Sequence, residues 1–372
     1  MATQQATPAQ INATILNILR SSPAVAIKTA TIGSFTPDSS GNITVQAIRV
    51  GMLKSFLIRV KTQLNNANTA AVNINPVGQY NLLSKIVYTD TSNSVRHSLS
   101  GTELTDYTLR RYGVIPGNFS VQNVGNATPL NALNFDNPVT NLPATVAAAG
   151  HAPAEFWYRL PITEDVTGNM NGIEAMAITN NTASLTLSMN SGSVVDTVNS
   201  LGSGALTLSN TVVTVYQEYF GGALPTDNAG NILVPPISAA TKFRLVSNGS
   251  NVSMAQNARS MIALDQPLTY LSAMMTFTVN GVAGPVSSAG GTPDLASTGF
   301  FSDAETPVYE NSPSIRALFT HAKGNVTMRG MYPFDFSSRP VVAQTAGLFY
   351  IGFTPAVAGT YGQRLLLETL GA

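Results

Sequence analysis

The chain has no cysteine and little charge, and these two deficits limit what it can be. Without cysteine it forms no disulfide and no thiolate metal site, so its stability must come from packing. Charged residues make up 10% of the 372 residues, against roughly 25% in an ordinary soluble domain, and the formal net charge is +0. Nucleic-acid binding needs clustered lysine and arginine and is not expected. A chain with so few charges tends to self-associate, which predicts that neighbouring copies cover much of its surface.

Long apolar runs are also lacking. No run reaches the roughly 18 residues that a membrane-spanning helix needs. The N-terminus has no basic segment ahead of an apolar core, because the first basic residue is Arg20. We therefore expect no signal peptide of the secretory type, and we expect synthesis and assembly in a cytoplasm.

Motifs for catalysis are missing from the sequence. The three histidines, His97, His151 and His321, are far apart, and none has a second metal ligand at a useful spacing. The nucleophile elbow, the phosphate loop and the His-Glu-x-x-His zinc motif do not occur. Adjacent carboxylates at Glu164 and Asp165 would point apart in a strand or turn, which disfavours a glycosidase pair. The sequence therefore predicts a protein that is not an enzyme and has no catalytic, cofactor or metal site.

The clearest positive feature is an order of elements that appears twice. A short helix closed by glycine is followed by an apolar strand that ends at a proline, an alternating strand and a final strand. This order predicts two β-rich units of similar plan, which is typical of a structural building block. The segments are 101–113, 155–161, 184–189 and 212–220 in the first half, and 314–324, 325–333, 347–353 and 364–370 in the second half.

The strand pattern predicts an all-β fold made of two jelly-roll β-sandwiches. Many short strands separated by turn signals indicate sandwiches, and the interposed helices and long segments favour jelly rolls over immunoglobulin-like domains. We expect loop excursions at 117–152, 190–209 and 282–298. We also expect a short N-terminal helix and one short helix in each unit. The predicted division is an N-terminal helical arm at 1–22, a first jelly roll at 23–223, a linker at 224–238 and a second jelly roll at 239–372.

The N-terminal helix has a clear start and one apolar face. Thr7 suits the N-cap and Pro8 the first helical position. The helix either packs on its own domain or forms an arm that contacts a neighbouring copy or a membrane surface. The residues assigned to this face and its edge are Ile11, Ile15, Ile18, Leu19 and Arg20.

The predicted linker is rich in turn residues and proline. Proline fixes its own φ and pushes the preceding residue out of the helical region, so the path should be extended. The residues that mark the linker are Leu224, Pro225, Pro235 and Pro236.

One strand places three aromatic residues next to each other. Alternation along a strand should put Phe156 and Tyr158 on one face and Trp157 on the other. Core packing together with a contact between units or between subunits accounts for them better than a sugar-binding platform does.

Several segments resemble those of tectivirus-type major capsid proteins, from tailless icosahedral phages with an internal membrane. The resemblance covers nearly all of the chain and rests on the order of its pieces. These are the Thr-Pro-Ala-Gln helix start at 7–10 and the segments 53–60, 81–90, 213–219 and 224–235.

The resemblance implies a double jelly roll that forms a homotrimer. Three chains with two similar sandwiches each would give a pseudo-hexagonal capsomer, and such capsomers would tile an icosahedral shell around an internal membrane. The N-terminal helix would then lie at the capsomer base near that membrane, and minor capsid or vertex proteins would be further partners. An alternative function is that of a carbohydrate-binding or adhesive β-sandwich, such as a phage spike or a lectin-like protein.

Overall fold

The computed structural model of the protein describes residues 10, 25–73, 82–112, 145–166, 169–172, 174–175, 182–190, 206–222, 242–264, 267–279, 282–283, 295–302, 306–312, 315, 331–336, 340–342 and 349–371. Two of the predicted sites fall outside these residues. They are the N-terminal helix face with Ile11, Ile15, Ile18, Leu19 and Arg20, and the linker with Leu224, Pro225, Pro235 and Pro236. Of the helix predicted at 314–324, Ile315 alone is described, and its backbone is helical.

Most of the described residues lie in β-strands, and the helix whose full length is described, α1, has three turns at Gly101–Tyr112. The strands in chain order are β1 Val25–Phe35, β2 Asn42–Gln46, β3 Met52–Asn66, β4 Val72–Asn73, β5 Leu83–Thr89, β6 Val95–Leu99, β7 Thr145–Val146, β8 His151–Pro161, β9 Glu164–Val166, β10 Asn169–Asn171, β11 Glu174–Ala175, β12 Ser184–Met189, β13 Leu206–Gly222, β14 Lys242–Met254, β15 Ser260–Leu264, β16 Thr269–Val279, β17 Val282–Ala283, β18 Leu295–Phe301, β19 Pro307–Asn311, β20 Met331–Asp335, β21 Val341–Val342, β22 Phe349–Pro355 and β23 Gly359–Gly371.

The two halves of the chain have the same sheet topology. In the first half, one sheet has the order β1-β13-β3-β8 and the facing sheet has the order β2-β12-β5-β6. In the second half, the corresponding orders are β14-β23-β16-β20 and β15-β22-β18-β19. If the eight long strands of each half are numbered in sequence, both halves read 1-8-3-6 and 2-7-4-5. The prediction of two jelly rolls is thus confirmed.

Alternation along the strands produces the two cores. In β2, Ile43 and Val45 are buried while Thr44 and Gln46 are exposed, so one face alone packs inward. The first core takes buried side chains from both sheets of the first sandwich, including Ile58 and Leu185. A second core of buried residues fills the second sandwich.

The registers show which strand ends lie together. In the first sandwich, the end of β3 pairs with the start of β13, and the start of β8 lies beside it. The loops after β1, β3 and β6 and the loop before β13 therefore leave from one end, here called the loop end. β1 begins, and β13 finishes, at the opposite base end, where Val25 pairs with Gly222.

The two sandwiches point the same way. β6 runs towards the loop end of the first sandwich, and β14 runs towards the loop end of the second. The two strands pair in parallel, with Leu245 opposite His97 and Val246 opposite Ser98. Both loop ends therefore lie on the same side of the molecule, as do both base ends.

Some expected details of the strands are wrong. Pro333 does not end its strand but lies inside β20, opposite Met274. β20 is an edge strand that pairs only with β16 among the described residues, and an edge tolerates the missing proline N–H. The predicted loop excursions also contain strand residues: β7 and the start of β8, the start of β13, and β17 with the start of β18. Small or weakly apolar residues such as Ala152 and Ala154 hide the alternation there, although both are buried.

Candidate functional site: the joint between the sandwiches and the outer face of the first sheet

A continuous sheet passes from one sandwich to the other. Because β6 pairs with β14, the second sheet of the first sandwich runs on into the first sheet of the second sandwich. We use "the joint" for the contact of β6 and α1 with β14, β16 and β23. Apolar side chains of the second half belong to the first core at the joint: Phe243, Leu245, Leu271, Met274 and Leu366.

Arg96 is a buried arginine at the centre of the joint. It is the extra residue of a β-bulge, because Tyr88 pairs with His97 and Thr89 pairs with Val95. Its guanidinium donates to three backbone carbonyls, at 3.2 Å to Phe243, 3.0 Å to Gly172 and 2.9 Å to Ile162. It also lies over the ring of Tyr88, at 5.7 Å from the centroid. One side chain thus ties the second sandwich to loops of the first.

His97 lies beside Arg96 and is fully buried. Its Nδ1 accepts a hydrogen bond from the backbone N–H of Leu245 at 3.0 Å, so the neutral ring carries its proton on Nε2. Burial, together with the charges of Arg96 and Arg244, holds the pKa of His97 well below its usual value. This hydrogen bond links β6 to β14 across the joint.

α1 begins with a capping box that also crosses the joint. Ser100 Oγ accepts from the N–H of Glu103 at 3.3 Å, and a carboxylate oxygen of Glu103 accepts from the N–H of Ser100 at 2.7 Å. The same carboxylate accepts from Ser247 Oγ at 2.6 Å and pairs with Arg364 at 3.2 Å. The start of the helix is therefore fixed to β14 and β23 of the second sandwich.

A second polar contact joins the middle of α1 to β23. Tyr107 donates its hydroxyl proton to Glu368 at 3.3 Å, and Ser272 donates to the other oxygen of the same carboxylate at 2.5 Å. Burial and then the nearby charge of Glu368 raise the pKa of Tyr107 well above its usual value. Tyr107 therefore remains a donor at any physiological pH.

A tight turn supports the joint at its base end. Asp90 Oδ1 accepts from the N–H groups of Ser92 and Ser94, both at 2.9 Å, as expected for a turn rich in Asp, Asn and Ser. Lys242, the first residue of β14, pairs with Asp90 at 3.3 Å. Burial alone would raise the pKa of Asp90, but the hydrogen bonds from Ser92 and Ser94 and the charge of Lys242 lower it overall.

The outer face of the first sheet carries a mixed aromatic and charged row. Phe156 and Tyr158 point into the core and Trp157 points outward, as alternation predicts. Trp157 stacks on Tyr216 with ring centroids 5.6 Å apart, and Arg59 lies 5.4 Å from the centroid of its ring. The indole is therefore in contact with two neighbouring side chains of the same face.

Ion pairs continue along the same face. Glu155 accepts from Arg59 at 2.6 Å, and this hydrogen bond is the largest cause of the raised pKa of Arg59. Arg159 pairs with Glu218 at 3.2 Å, and Ser55 donates to the same carboxylate. Each of these carboxylates is therefore matched by a cation.

The two first sheets repeat a serine–glutamate pair at equivalent positions. In the first sandwich, Ser55 of β3 lies opposite Glu218 of β13, one residue after a bulge at Lys54. In the second, Ser272 of β16 lies opposite Glu368 of β23, one residue after a bulge at Leu271. The two pairs have the same strand register, the same bulge and the same hydrogen bond. The internal repeat is therefore recognisable at the level of single residues.

The outer environments of these two pairs differ. Glu368 is covered by α1 and accepts from Tyr107, whereas Glu218 faces outward and pairs with Arg159. Sequence reasoning did not find Arg96, Glu103 or the serine–glutamate pairs. The Ser-Gly-Thr-Glu sequence at 100–103 is a capping-box signature that could have drawn attention to Glu103.

The structure does not bring together the histidines that the sequence analysis considered as possible metal ligands. His97 lies in the joint and His151 is exposed at the start of β8, while His321 is outside the described residues. Within the described part of the chain, no group of three or more potential metal-ligating side chains is close enough to hold an ion. The helix that the structure describes is not long and apolar enough to cross a membrane.

Comparison with known proteins points in one direction. A family model described as "P3 major capsid protein N-terminal" matches residues 2–227. The chain is 25% identical over 299 residues to the major capsid protein P3 of Enterobacteria phage PRD1, which covers 75% of this chain and 70% of that protein.

Solved structures show the same fold at lower identity. The STIV MCP, from Sulfolobus turreted icosahedral virus, has a TM-score of 0.62 at 13% identity, over 93% of this chain and 97% of that one. The quasi-atomic structure of the PBCV-1 virus capsid has a TM-score of 0.57 at 13% identity and covers 93% of both chains.

Proposed function

Because the chain belongs to the P3 major capsid protein family and is thus a structural subunit of a virion shell, we propose that three copies form a pseudo-hexagonal capsomer. One observation carries the proposal. The two sandwiches share strand order and the bulge beside each serine–glutamate pair, and both point their loop ends the same way. Three such chains offer six similar walls, so a block with only threefold symmetry tiles a sheet hexagonally.

The base end of the capsomer is assigned to the internal membrane in this proposal. β1 starts at the base end, so the N-terminal segment with Ile11, Ile15, Ile18, Leu19 and Arg20 enters the first sandwich there. The linker region leaves β13 and reaches β14 at base ends, which supports a short bridge marked by Leu224, Pro225, Pro235 and Pro236.

The loop ends would then form the outer surface of the shell. Neighbouring capsomers would contact the side walls, and minor capsid or vertex proteins would be further partners. The division into an arm at 1–22, sandwiches at 23–223 and 239–372, and a linker at 224–238 belongs to the same proposal.

The size of the purified protein tests the trimer. Light scattering coupled to size-exclusion chromatography should give three times the chain mass of 39.0 kDa. A stable trimer should bury more than roughly 2,000 Å² per interface, as obligate interfaces do, and should persist on dilution. A monomer at micromolar concentration would overturn the proposal.

Deleting residues 1–20 tests the role of the arm. The trimer should remain folded, while flotation with vesicles of phosphatidylethanolamine and phosphatidylglycerol should be lost. A control variant with Ile15→Asp and Ile18→Asp should lose flotation to the same degree. Unfolding of the trimer on deletion would instead show that the helix is part of the core.

A further inference from the structure

Because the two sandwiches are equivalent, the contact at the joint within one chain can serve as the pattern for a contact between two chains. β6 pairs with β5 in the same register as β19 pairs with β18, and both pairs have their bulge at the same step. Phe300 pairs with Tyr309 and Phe301 with Pro307, so Val308 is the extra residue. Val308 therefore holds the position in the second sandwich that Arg96 holds in the first.

The start of the helix after these strands is also equivalent. Ser312 Oγ accepts from the N–H of Ile315 at 3.4 Å, as Ser100 Oγ accepts from the N–H of Glu103. Ile315 thus corresponds to Glu103. Two of the polar side chains that cross the joint, Arg96 and Glu103, therefore have apolar counterparts in the second sandwich.

β14, the strand of the second sandwich that β6 contacts at the joint, has its counterpart in β1 of the first sandwich. Because Glu218 corresponds to Glu368, Phe220 corresponds to Leu370 two residues later. Ile27 lies opposite Phe220, and Phe243 lies opposite Leu370, so Ile27 corresponds to Phe243. Inside the chain, Arg96 donates to the carbonyl of Phe243.

These counterparts are exposed. Val308 is 55% exposed, Ile27 is 52% exposed and Ile315 is 45% exposed. Val308 and Ile27 are the two most exposed large apolar residues in the described part of the chain. Among the described strands, β19 pairs only with β18 and β1 only with β13, so each leaves one edge open.

We propose that Val308 on β19 of one copy packs against Ile27 on β1 of the next copy, as an apolar version of the joint. β19 would lie beside β1 in parallel, as β6 lies beside β14, with Tyr309 next to Thr29. Ile315 would then approach Thr31, the counterpart of Ser247. The occupant of this surface is a second copy of the chain, and the inference rests on the proposed trimer.

The difference in chemistry would keep the two kinds of contact apart. Arg96 and Glu103 need the carbonyl of Phe243 and the polar groups of Ser247 and Arg364. Val308 and Ile315 offer no donor or acceptor side chain to such a surface. A mismatched contact would therefore bury unpaired polar groups, which disfavours it.

Thiol crosslinking tests the contact without interference, because the chain has no cysteine. The double variant Ile27→Cys/Val308→Cys, treated with a short bismaleimide, should run as a covalent trimer on a denaturing gel. Each single variant should remain monomeric on that gel, and trimers assembled from both single variants by co-expression should give only dimers. Peptide mass spectrometry should show residue 27 linked to residue 308.

A matched control uses another exposed valine. The variant Ile27→Cys/Val342→Cys should give no covalent trimer, since Val342 is 47% exposed but lies on β21. A native trimer of the Ile27→Cys/Val308→Cys variant without intermolecular crosslinks would overturn the contact and leave the trimer standing. A protein that is monomeric in solution before treatment would overturn both.

A charge substitution provides a second measurement. Val308→Asp should shift the native trimer to monomer in light scattering, whereas Val342→Asp should leave it trimeric. A trimeric Val308→Asp protein would contradict the apolar contact, and circular dichroism of both variants checks that the strands remain folded.

Discussion

The two sandwiches share one topology but fill it with different side chains. The core of the first is mainly aliphatic and extends across the joint into residues of the second half, such as Met274 and Leu366. The core of the second is mostly aromatic, with Phe353 in contact with Phe277 and Tyr361. The aromatic members are Tyr270, Phe277, Phe300, Tyr332, Phe334, Phe336, Phe353 and Tyr361.

The difference shows which features specify the fold. Strand order is the same in both halves, as are the register and bulge beside the serine–glutamate pairs, whereas the core residues are not. Cores accept many combinations of apolar residues if their volume and pattern are kept. The backbone pairing and the few polar groups at the joint are therefore the parts that define this double sandwich.

Phe353→Ala should have the largest effect, because it removes a ring from the middle of the aromatic core. Phe353 is buried and its centroid lies 4.6 Å from that of Phe277. We expect a loss of about 3–5 kcal/mol in the free energy of unfolding, measured by urea denaturation. The control Ile58→Val in the aliphatic core should cost about 0.5–1.5 kcal/mol. Equal losses would contradict the dependence of the second core on its rings.

Arg96→Met should have the next largest effect. The methionine can fill the space of the stem, but it leaves three buried carbonyl oxygens without their donor. At about 1 kcal/mol or more for each lost partner, the loss should reach roughly 3 kcal/mol.

Its conservative control is Arg96→Lys, which keeps the charge but not the planar fork of donors and should recover only part of the loss. Limited proteolysis should also become faster at the joint in Arg96→Met, at 162–172 and near 243. An Arg96→Met protein as stable as the parent would show that the joint does not depend on this arginine.

The sequence predicts the order of elements in both halves because that order depends on local patterns. Helix caps, proline positions and alternation are visible within a few residues of each other. The serine–glutamate pairs are not visible, since 163 residues separate Ser55 from Glu218 and only 96 separate Ser272 from Glu368. Because the two separations differ, the sequence spacing does not show that the pairs are equivalent. Their equivalence follows from the sheet register.

The joint was hidden for a related reason. His97 and Arg96 lie in an ordinary polar stretch, and their burial results from pairing with a strand almost 150 residues away. Resemblance to a capsid family implied two sandwiches side by side, but the residues that hold them together follow only from the structure.

Acid should weaken the joint through His97. Because its pKa is lowered by folding, the folded state binds fewer protons than the unfolded state below pH 6.5. Stability therefore falls as the pH drops below 6.5, by up to about 1.4 kcal/mol per pH unit, until the folded pKa is reached.

The control is His97→Asn, whose side-chain oxygen can accept from the N–H of Leu245 without titrating. Urea midpoints between pH 7 and pH 5 should decline less steeply in this variant than in the parent. This window lies above the range in which Asp90, with its lowered pKa, begins to be protonated. Equal slopes would show that another group is responsible.

The serine–glutamate pairs allow the smallest and most direct comparison of the two halves. Ser272→Ala removes a donor from Glu368, which is buried beneath α1 and would keep only Tyr107 among the donors described above. Ser55→Ala removes the same donor from Glu218, which faces outward and still pairs with Arg159. We expect a loss of about 1–2 kcal/mol for Ser272→Ala and about 0.5 kcal/mol or less for Ser55→Ala, because solvent screens the outward pair. Urea midpoints measured on the two variants in parallel would show this difference, and equal losses would mean that cover by α1 does not set the strength of the pair.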